Sequence, residues 1–513
     1  MFQGLQLFAE AIGGLLTFRT VFDVLWATQL GIIVGMLPGL TATMGIALMT
    51  TLTFKMAANN AILILICMYI GAIYGGSRSA ILLNIPGTPA NAATCMDGYP
   101  LAQQGKAGQA IGIATTGSFL GSVIGMFAMA LFTPLLGTFA LKFRSFEFFW
   151  FSVFGVVICG NLTAPKDPLK GWIAGFLGLF VAMIGMEGIH AYSRFSFGST
   201  DLSGGIALLP AMVGAFGFAE IITVMRNPRM QVVQTKIDHV VPRLKDILPY
   251  WKTIIRSGIV GTIIGVLPGV GEDIASWVSY DMAKRSSKHP EEFGKGSVDG
   301  LIAAETGNNA CVPGAIIPVL TLAIPGSAPA AVLLGAMLIH GIRPGPLIMI
   351  EFPKFIYETT AMVLFATIAM FVLGLSLVRT LVKVLLVPRQ KLMPIVFVLC
   401  VVGAYAITGR MFDVGVMVVF GVIGFVLREM EYPMAPLVLG IILGDILDKN
   451  LRRSLILTDG RIGPLFTRPI SFFIFALTVL IILSKVKFAQ DAANAAKRAA
   501  AGLFRRKGAG DGV

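Results

Sequence analysis

The stretch from Thr306 to Ala331, TGNNACVPGAIIPVLTLAIPGSAPAA, restricts this chain more than any other. It is apolar enough to sit at membrane depth, yet it carries four prolines, three glycines and two adjacent asparagines. Proline removes a backbone donor and clashes with the preceding helical turn. In hydrocarbon, each freed backbone group costs on the order of several kcal/mol unless protein or a water-filled cavity satisfies it. Such a run reads as a site. A relative of it occurs earlier, as SAILLNIPGTPANAAT from Ser79 to Thr94. Each has a partner upstream: GIIVGMLPGLTATMG begins at Gly31 and GTIIGVLPGVGEDIA at Gly261. The chain therefore writes GxxxGxLPG and then IPG-[ST], twice.

Composition sets the class. Of 513 residues, 56% are hydrophobic and 13% charged, against about 25% charged in soluble domains. A span needs about 20 apolar residues, and the apolar windows number about ten to twelve spans or re-entrant segments. The expected fold is an all-α polytopic membrane protein with two pseudo-repeats containing broken or re-entrant helices. Its expected parts are a first transmembrane repeat (1–225), a basic linker (226–256), a second repeat with additional spans (257–485) and a basic tail (486–513). The net charge of +13 is clustered in the linker and the tail. By the positive-inside rule both lie on the cytoplasmic side, so the charge speaks of topology and lipid rather than nucleic acid. The five cysteines show no CxxC spacing and read as small buried apolar residues. The N-terminus has no basic n-region, so no cleaved signal peptide is expected.

Paired, Gly/Pro-interrupted apolar segments at corresponding places in two halves are the sequence sign of a secondary transporter's binding site. Broken helices expose N-terminal ends, with free N–H donors and roughly +0.5 charge for an anion. They also expose carbonyls that can hold a cation. The candidate substrate residues are Arg78, Pro86, Gly87, Thr88, Asn91, Pro325, Gly326 and Ser327. The turns supply amides and small hydroxyls, their glycines let a ligand approach the backbone, and Arg78 lies between two apolar runs. The alternative for Arg78 is a side chain snorkelling to the headgroups. The candidate cation residues are Gly39, Thr41, Gly269, Asn308 and Asn309, with sodium or a proton as the coupling ion and no cofactor. Asn308 and Asn309 precede the second turn by about 15 residues and would lie beside it if the chain folded back as a hairpin, each arm rising about 1.5 Å per residue. A re-entrant hairpin at Leu267-Pro268-Gly269 would explain basic flanks on both sides of one apolar stretch. Paired glycines and serines at 117–125 read as helix packing.

These motifs resemble the large membrane subunit of the tripartite tricarboxylate transporters (the TctA type). The resemblance rests on GxxxGxLPG, on SRSAILLNIPGTPANAAT with DGYPLAQQGKAG, and on the run from NNA through AIPGSAPAAVLLGAMLIHGIRPGP. It covers nearly the whole chain. It implies cation-coupled secondary uptake of organic acids across a bacterial inner membrane. It also implies two partners, a small four-helix membrane subunit and a periplasmic solute-binding protein. One departure stands out: before the asparagines the chain reads AAETGNN, with Glu305 and Thr306, where the family often carries alanine or proline. The competing classes are a membrane-embedded enzyme and a channel. No GxSxG or HExxH supports an intramembrane enzyme, and no P-loop supports an ATP-driven pump.

Overall fold

A computed structural model describes residues 2–37, 39–164, 166–226, 239–385 and 389–485. Residues 227–238 of the linker, the tail 486–513 and Pro38 lie outside the described residues. The described chain is helical apart from one two-residue antiparallel pair, Gly185–Met186 (β1) with Ser193–Arg194 (β2).

The first part of the chain forms α1 (Phe2–Leu15), α2 (Phe18–Met36), α3 (Ala42–Thr53), α4 (Ala58–Leu83), α5 (Ala92–Gln103) and α6 (Ala107–Ala140). There follow α7 (Ser145–Thr163), α8 (Pro168–Ala182) and α9 (Leu208–Arg226), the last containing a π-helical segment at Val213–Phe218. Beyond the linker come α10 (Trp251–Val266), α11 (Gly271–Ser286), α12 (Val298–Leu322) and α13 (Ala328–Ile339). The chain continues through α14 (Pro353–Ser376), α15 (Arg389–Thr408), α16 (Met411–Glu429), α17 (Met434–Leu457) and α18 (Pro469–Leu483).

Among the described residues, seven helices are long and apolar enough to cross a membrane: α2, α4, α6, α7, α9, α14 and α16. That is fewer than the ten to twelve segments expected from the apolar windows. Breaks at the Leu-Pro-Gly and Ile-Pro-Gly motifs leave α3 and α13 with 12 residues each and α10 with 16. The 25-residue α12 falls outside the seven and carries Asp299, Glu305, Asn308 and Asn309.

Two helices form the interior. Every residue from Ala61 to Leu83 in α4 and from Gly300 to Thr321 in α12 is buried. Helices enclosed on all sides have no solvated face to keep polar, which is why α4 is apolar on every face from Ala61 to Gly76. α2 lies on α4, and α12 lies against α6, α10 and α11. The glycine patterns explain how close these pairs come. A Cβ on Gly35 would fall 1.9 Å from the Ala72 carbonyl oxygen, and one on Gly261 would fall 2.1 Å from that of Gly307. Gly121 of α6 would meet the Thr306 carbonyl oxygen at 2.2 Å. The GxxxG and 117–125 patterns are thus packing surfaces where small residues let backbones touch.

The motifs end helices in matching ways. α4 stops at Asn84 and α12 at Ala323, both left-handed (φ 54° and 57°). A left-handed residue is a common helix terminator, and the following Ile-Pro-Gly keeps the chain from resuming at once. α2 and α10 end one residue before Leu37 and Leu267, and the chain turns at Gly39 (φ 96°) and Gly269 (φ 68°). α12 itself passes through Pro313 and Pro318 as one helix. The hairpin expected to return Asn308 and Asn309 alongside the second turn does not form. At about 1.5 Å per residue, an unbroken helix holds Asn309 roughly 21 Å from its own C-terminal cap.

Candidate functional site

The four broken segments meet around one cavity of about 470 Å³. Its wall includes the opening residues of four helices: Ala42 and Thr43 of α3, Ala92 of α5 with Pro89 just before it, Gly271 and Glu272 of α11, and Ala328 and Pro329 of α13. A helix N-terminus has N–H groups with no intrahelical acceptor and a positive dipole end. Four such ends bring positive dipole ends to one void, and the carboxyls of Glu272 and Asp273 in the same wall offset part of that field. Thr41 and Thr88 add hydroxyls to the wall, and Gly269 adds backbone.

The expected site residues divide into three groups. Thr41, Thr88 and Gly269 line the cavity. Thr41 caps α3, its hydroxyl accepting from the Met44 N–H at 3.2 Å. Gly39 sits next to Glu220, whose carboxylate oxygen would lie 3.1 Å from a Cβ placed there.

Around the wall, Pro86 and Gly87 form the first turn, and Gly87 donates its N–H to the Gly76 carbonyl at 3.3 Å. Pro325 and Gly326 form the second turn and accept from the N–H groups of Gly269 and Gly271, each at 3.0 Å. Ser327 caps α13 by accepting from the Ala330 N–H, and its Oγ is 2.6 Å from the Tyr69 hydroxyl. Asn91 is buried just behind Thr88, whose hydroxyl donates to its Oδ1 at 2.7 Å.

The third group is elsewhere. Asn308 donates to the Ala90 carbonyl at 3.2 Å, and Asn309 donates to Asn308 Oδ1 at 2.6 Å. They stand at the first turn, Asn308 bonding a residue 218 positions earlier in the chain. Arg78 is fully buried on α4, away from the cavity wall. Its guanidinium lies 4.6 Å from the Tyr74 ring centroid and donates to the Gly374 carbonyl at 2.7 Å. Full burial removes the snorkelling alternative for this side chain.

Two carboxyls at these turns were not among the expected residues. Glu272 opens α11, lines the cavity, and accepts from the Tyr69 hydroxyl. Glu305 on α12 accepts from Asn91, Thr94 and Ser118. Each turn therefore has a buried acid beside it, and each acid is bonded across the two halves. At the cavity mouth Asp273 is exposed, and Arg428 pairs with Glu220. The local signal for Glu272 and Asp273 was present: acids directly after a helix break occupy the first turn of the next helix, where the dipole favours them. Glu305 stood out only as an uncompensated charge in an apolar run.

Comparison with known proteins points to one family. A model of the "Tripartite tricarboxylate transporter TctA family" matches residues 22–439. An uncharacterised 52.8 kDa protein of the TAR-I ttuC' 3' region of Agrobacterium vitis is 35% identical over 486 residues, 93% of this chain and 97% of the relative. A second Agrobacterium vitis protein, from the TAR-II ttuC' 3' region, is 34% identical over 235 residues, 45% of this chain and 97% of its own. No solved structure matches. With the family pattern extending over most of its length, the chain belongs to the TctA family, the membrane component of tripartite tricarboxylate transporters and not an enzyme family.

Proposed function

We propose that this protein is the large membrane subunit of a secondary, cation-coupled importer of tricarboxylates or related organic acids in a bacterial inner membrane. Its partners in this reading are a small four-helix membrane subunit and a periplasmic solute-binding protein that delivers the carboxylate. The observation that carries the proposal is the convergence of four helix N-termini on one cavity. Carboxylates bound there gain amide donors and dipole without a permanently buried cation, which would be costly whenever the site is empty.

The halves act as two pseudo-repeats, each a helix broken at Leu-Pro-Gly followed by a longer helix broken at Ile-Pro-Gly. Left-handed caps at Asn84 and Ala323 and glycine turns at Gly39 and Gly269 support the equivalence. α3, α11 and α13 are too short to cross a bilayer at about 1.5 Å rise per residue and enter it as re-entrant pieces. Substrate lies against Thr88, Pro86 and Gly87 on one side and Pro325, Gly326 and Ser327 on the other. The coupling cation is held near the polar groups behind the turns, with Asn308 and Asn309 among them.

The test is uptake into proteoliposomes holding the whole transporter, with citrate and a panel of di- and tricarboxylates delivered by the binding protein. Accumulation should collapse when sodium and proton gradients are both dissipated. Thr88→Ala should raise the apparent KM about tenfold, the loss expected for one charge-assisted hydrogen bond. Accumulation that persists without any ion gradient would reject coupling. Wild-type kinetics in Thr88→Ala would move the substrate away from this cavity.

A further inference from the structure

We propose that Glu305 is the site of a coupling proton, linked to the substrate cavity through Asn91 and Thr88. The inference rests on the transport reading above and adds to it the chemical identity of the cation and the residue that carries it.

Glu305 has no exposed surface. Among the described residues no lysine, arginine or histidine pairs with it. Its neighbours are neutral: Asn91 just before α5, Thr94 of α5 and Ser118 of α6 donate to it, and Asn308 stands beside it on α12. A naked carboxylate buried without a counter-charge is costly, and either a bound cation or a proton removes the cost. The neighbours' donors suit the carboxylate, the form left after proton release, and a proton can join only when one of them turns to accept. The Asn91 amide has its oxygen engaged by the Thr88 hydroxyl, so it turns its NH₂ toward Glu305. Thr94 and Ser118 likewise present O–H groups. The hydrogens of Asn91, Thr94 and Ser118 converge on the carboxyl; a single hydroxyl turned to accept is enough to receive a proton, whereas sodium would need several lone pairs turned inward at once.

The charged and titratable surroundings are few. Cys95 of α5 and Tyr74 of α4 are within electrostatic reach, with Arg78 over the Tyr74 ring. α6 brings glycine and serine to this face, and α11 brings Ser279 against Gly307. The three acids of α11 face elsewhere, Glu272 to Tyr69, Asp273 to the cavity and Asp281 to Arg285. Asp97 of α5 is occupied by the N–H groups of Gly294, Gly296 and Ser297.

The link to substrate follows from the chain of bonds. A carboxylate entering the cavity competes for the Thr88 hydroxyl. Asn91 Oδ1 then loses its donor, and the amide can rotate to aim that oxygen at Glu305. A proton from water on the open side adds to one Glu305 oxygen. The new O–H donates to Asn91 Oδ1, while Ser118 and Thr94 turn from donors into acceptors as needed. Anion and proton each favour the other's binding, and the coupling is reciprocal. When the cavity opens to the other side, substrate leaves, Thr88 returns to Asn91, and the proton is released to water there.

The experiment uses the whole transporter in proteoliposomes loaded with a pH dye, with the panel carboxylate that accumulates best. Wild-type uptake should acidify the lumen without sodium, and carboxylate affinity should rise about tenfold on acidification, within the usual span of coupling factors. In Glu305→Gln, accumulation and acidification should fall at least tenfold and exchange of labelled for unlabelled carboxylate far less; Glu305→Asp should restore part of the coupling. A second readout needs no substrate: infrared difference spectra between high and low pH should show a protonated-carboxyl C=O band that Glu305→Gln lacks. Sodium-dependent uptake with no lumen acidification, or a band unchanged in Glu305→Gln, would overturn the proton site and leave the transport reading standing. Absence of exchange for every panel member in the wild type would instead overturn the transport reading and this inference with it.

Discussion

At the first Ile-Pro-Gly turn the long helix ends on Asn84, and at the second it ends on Ala323; the two φ values differ by only a few degrees. The glycines that follow are equally confined. A Cβ on Gly87 would lie 2.1 Å from the Gly35 carbonyl oxygen, and one on Gly326 would lie 1.9 Å from that of Gly265. The polar groups do not match in this way. Thr88 spends its hydroxyl on Asn91 and leaves the next turn without a side-chain cap, while Ser327 caps α13 and meets Tyr69. Glu305 reaches the first turn from α12, and Glu272 reaches the second from α11. Backbone geometry is held in common because the helix breaks and close approaches leave it little choice. Side-chain chemistry is free to diverge, and the proposed pairing of an anion with a cation would require it to.

The sharpest way to break this comparison is to fill both turns. Gly87→Ala and Gly326→Ala should each lower stability by about 1–3 kcal/mol, the usual cost of forcing atoms into a packed interior. Thermal unfolding in detergent checks this, and a large loss in only one of them would mean that the turns are not equivalent. Next come the hydroxyls. Ser327→Ala removes a helix cap and should cost about 1 kcal/mol by the same measurement. Thr88→Ala removes no cap, so its thermal penalty should be smaller while its transport defect is the larger; equal melting shifts would contradict the division of labour. The smallest effect is at the left-handed residues. Alanine is strained there and asparagine much less so, so Ala323→Gly should stabilise by up to about 1 kcal/mol. Asn84→Gly should leave the melting temperature nearly unchanged.

Much of this was legible in the chain. Proline after a left-handed terminator, glycine at a turn and GxxxG on a packed face are local rules, so the breaks and contacts at Leu37, Leu267, Asn84 and Ala323 follow from short windows. The number of spans was harder to read, because an apolar window does not say whether a motif cuts it into pieces such as the 12-residue α3 and α13. The carboxyls were harder still. Glu272 finds Tyr69 and Ser327, and Glu305 finds Asn91, only after helices more than fifty residues apart are packed together, and in each case one bond spans over two hundred residues. Arg78 shows the converse: its position in the sequence marked it as a candidate, and the fold sets it behind the cavity wall against the Tyr74 ring and the Gly374 carbonyl, with Nε and Nη1 buried and unpartnered among the described residues.

The glycine contacts have a thermodynamic side. Where Gly31 and Gly35 meet α4, and Gly261 and Gly265 meet α12, the touching surfaces are largely main chain. Freezing long side chains costs up to about 2 kcal/mol apiece in rotamer entropy, and glycine has none to lose. Two such surfaces can part and rejoin without melting or refreezing rotamers at the seam. A joint of this kind holds little side-chain entropy, so parting it would release little of the disorder that usually drives packed surfaces apart.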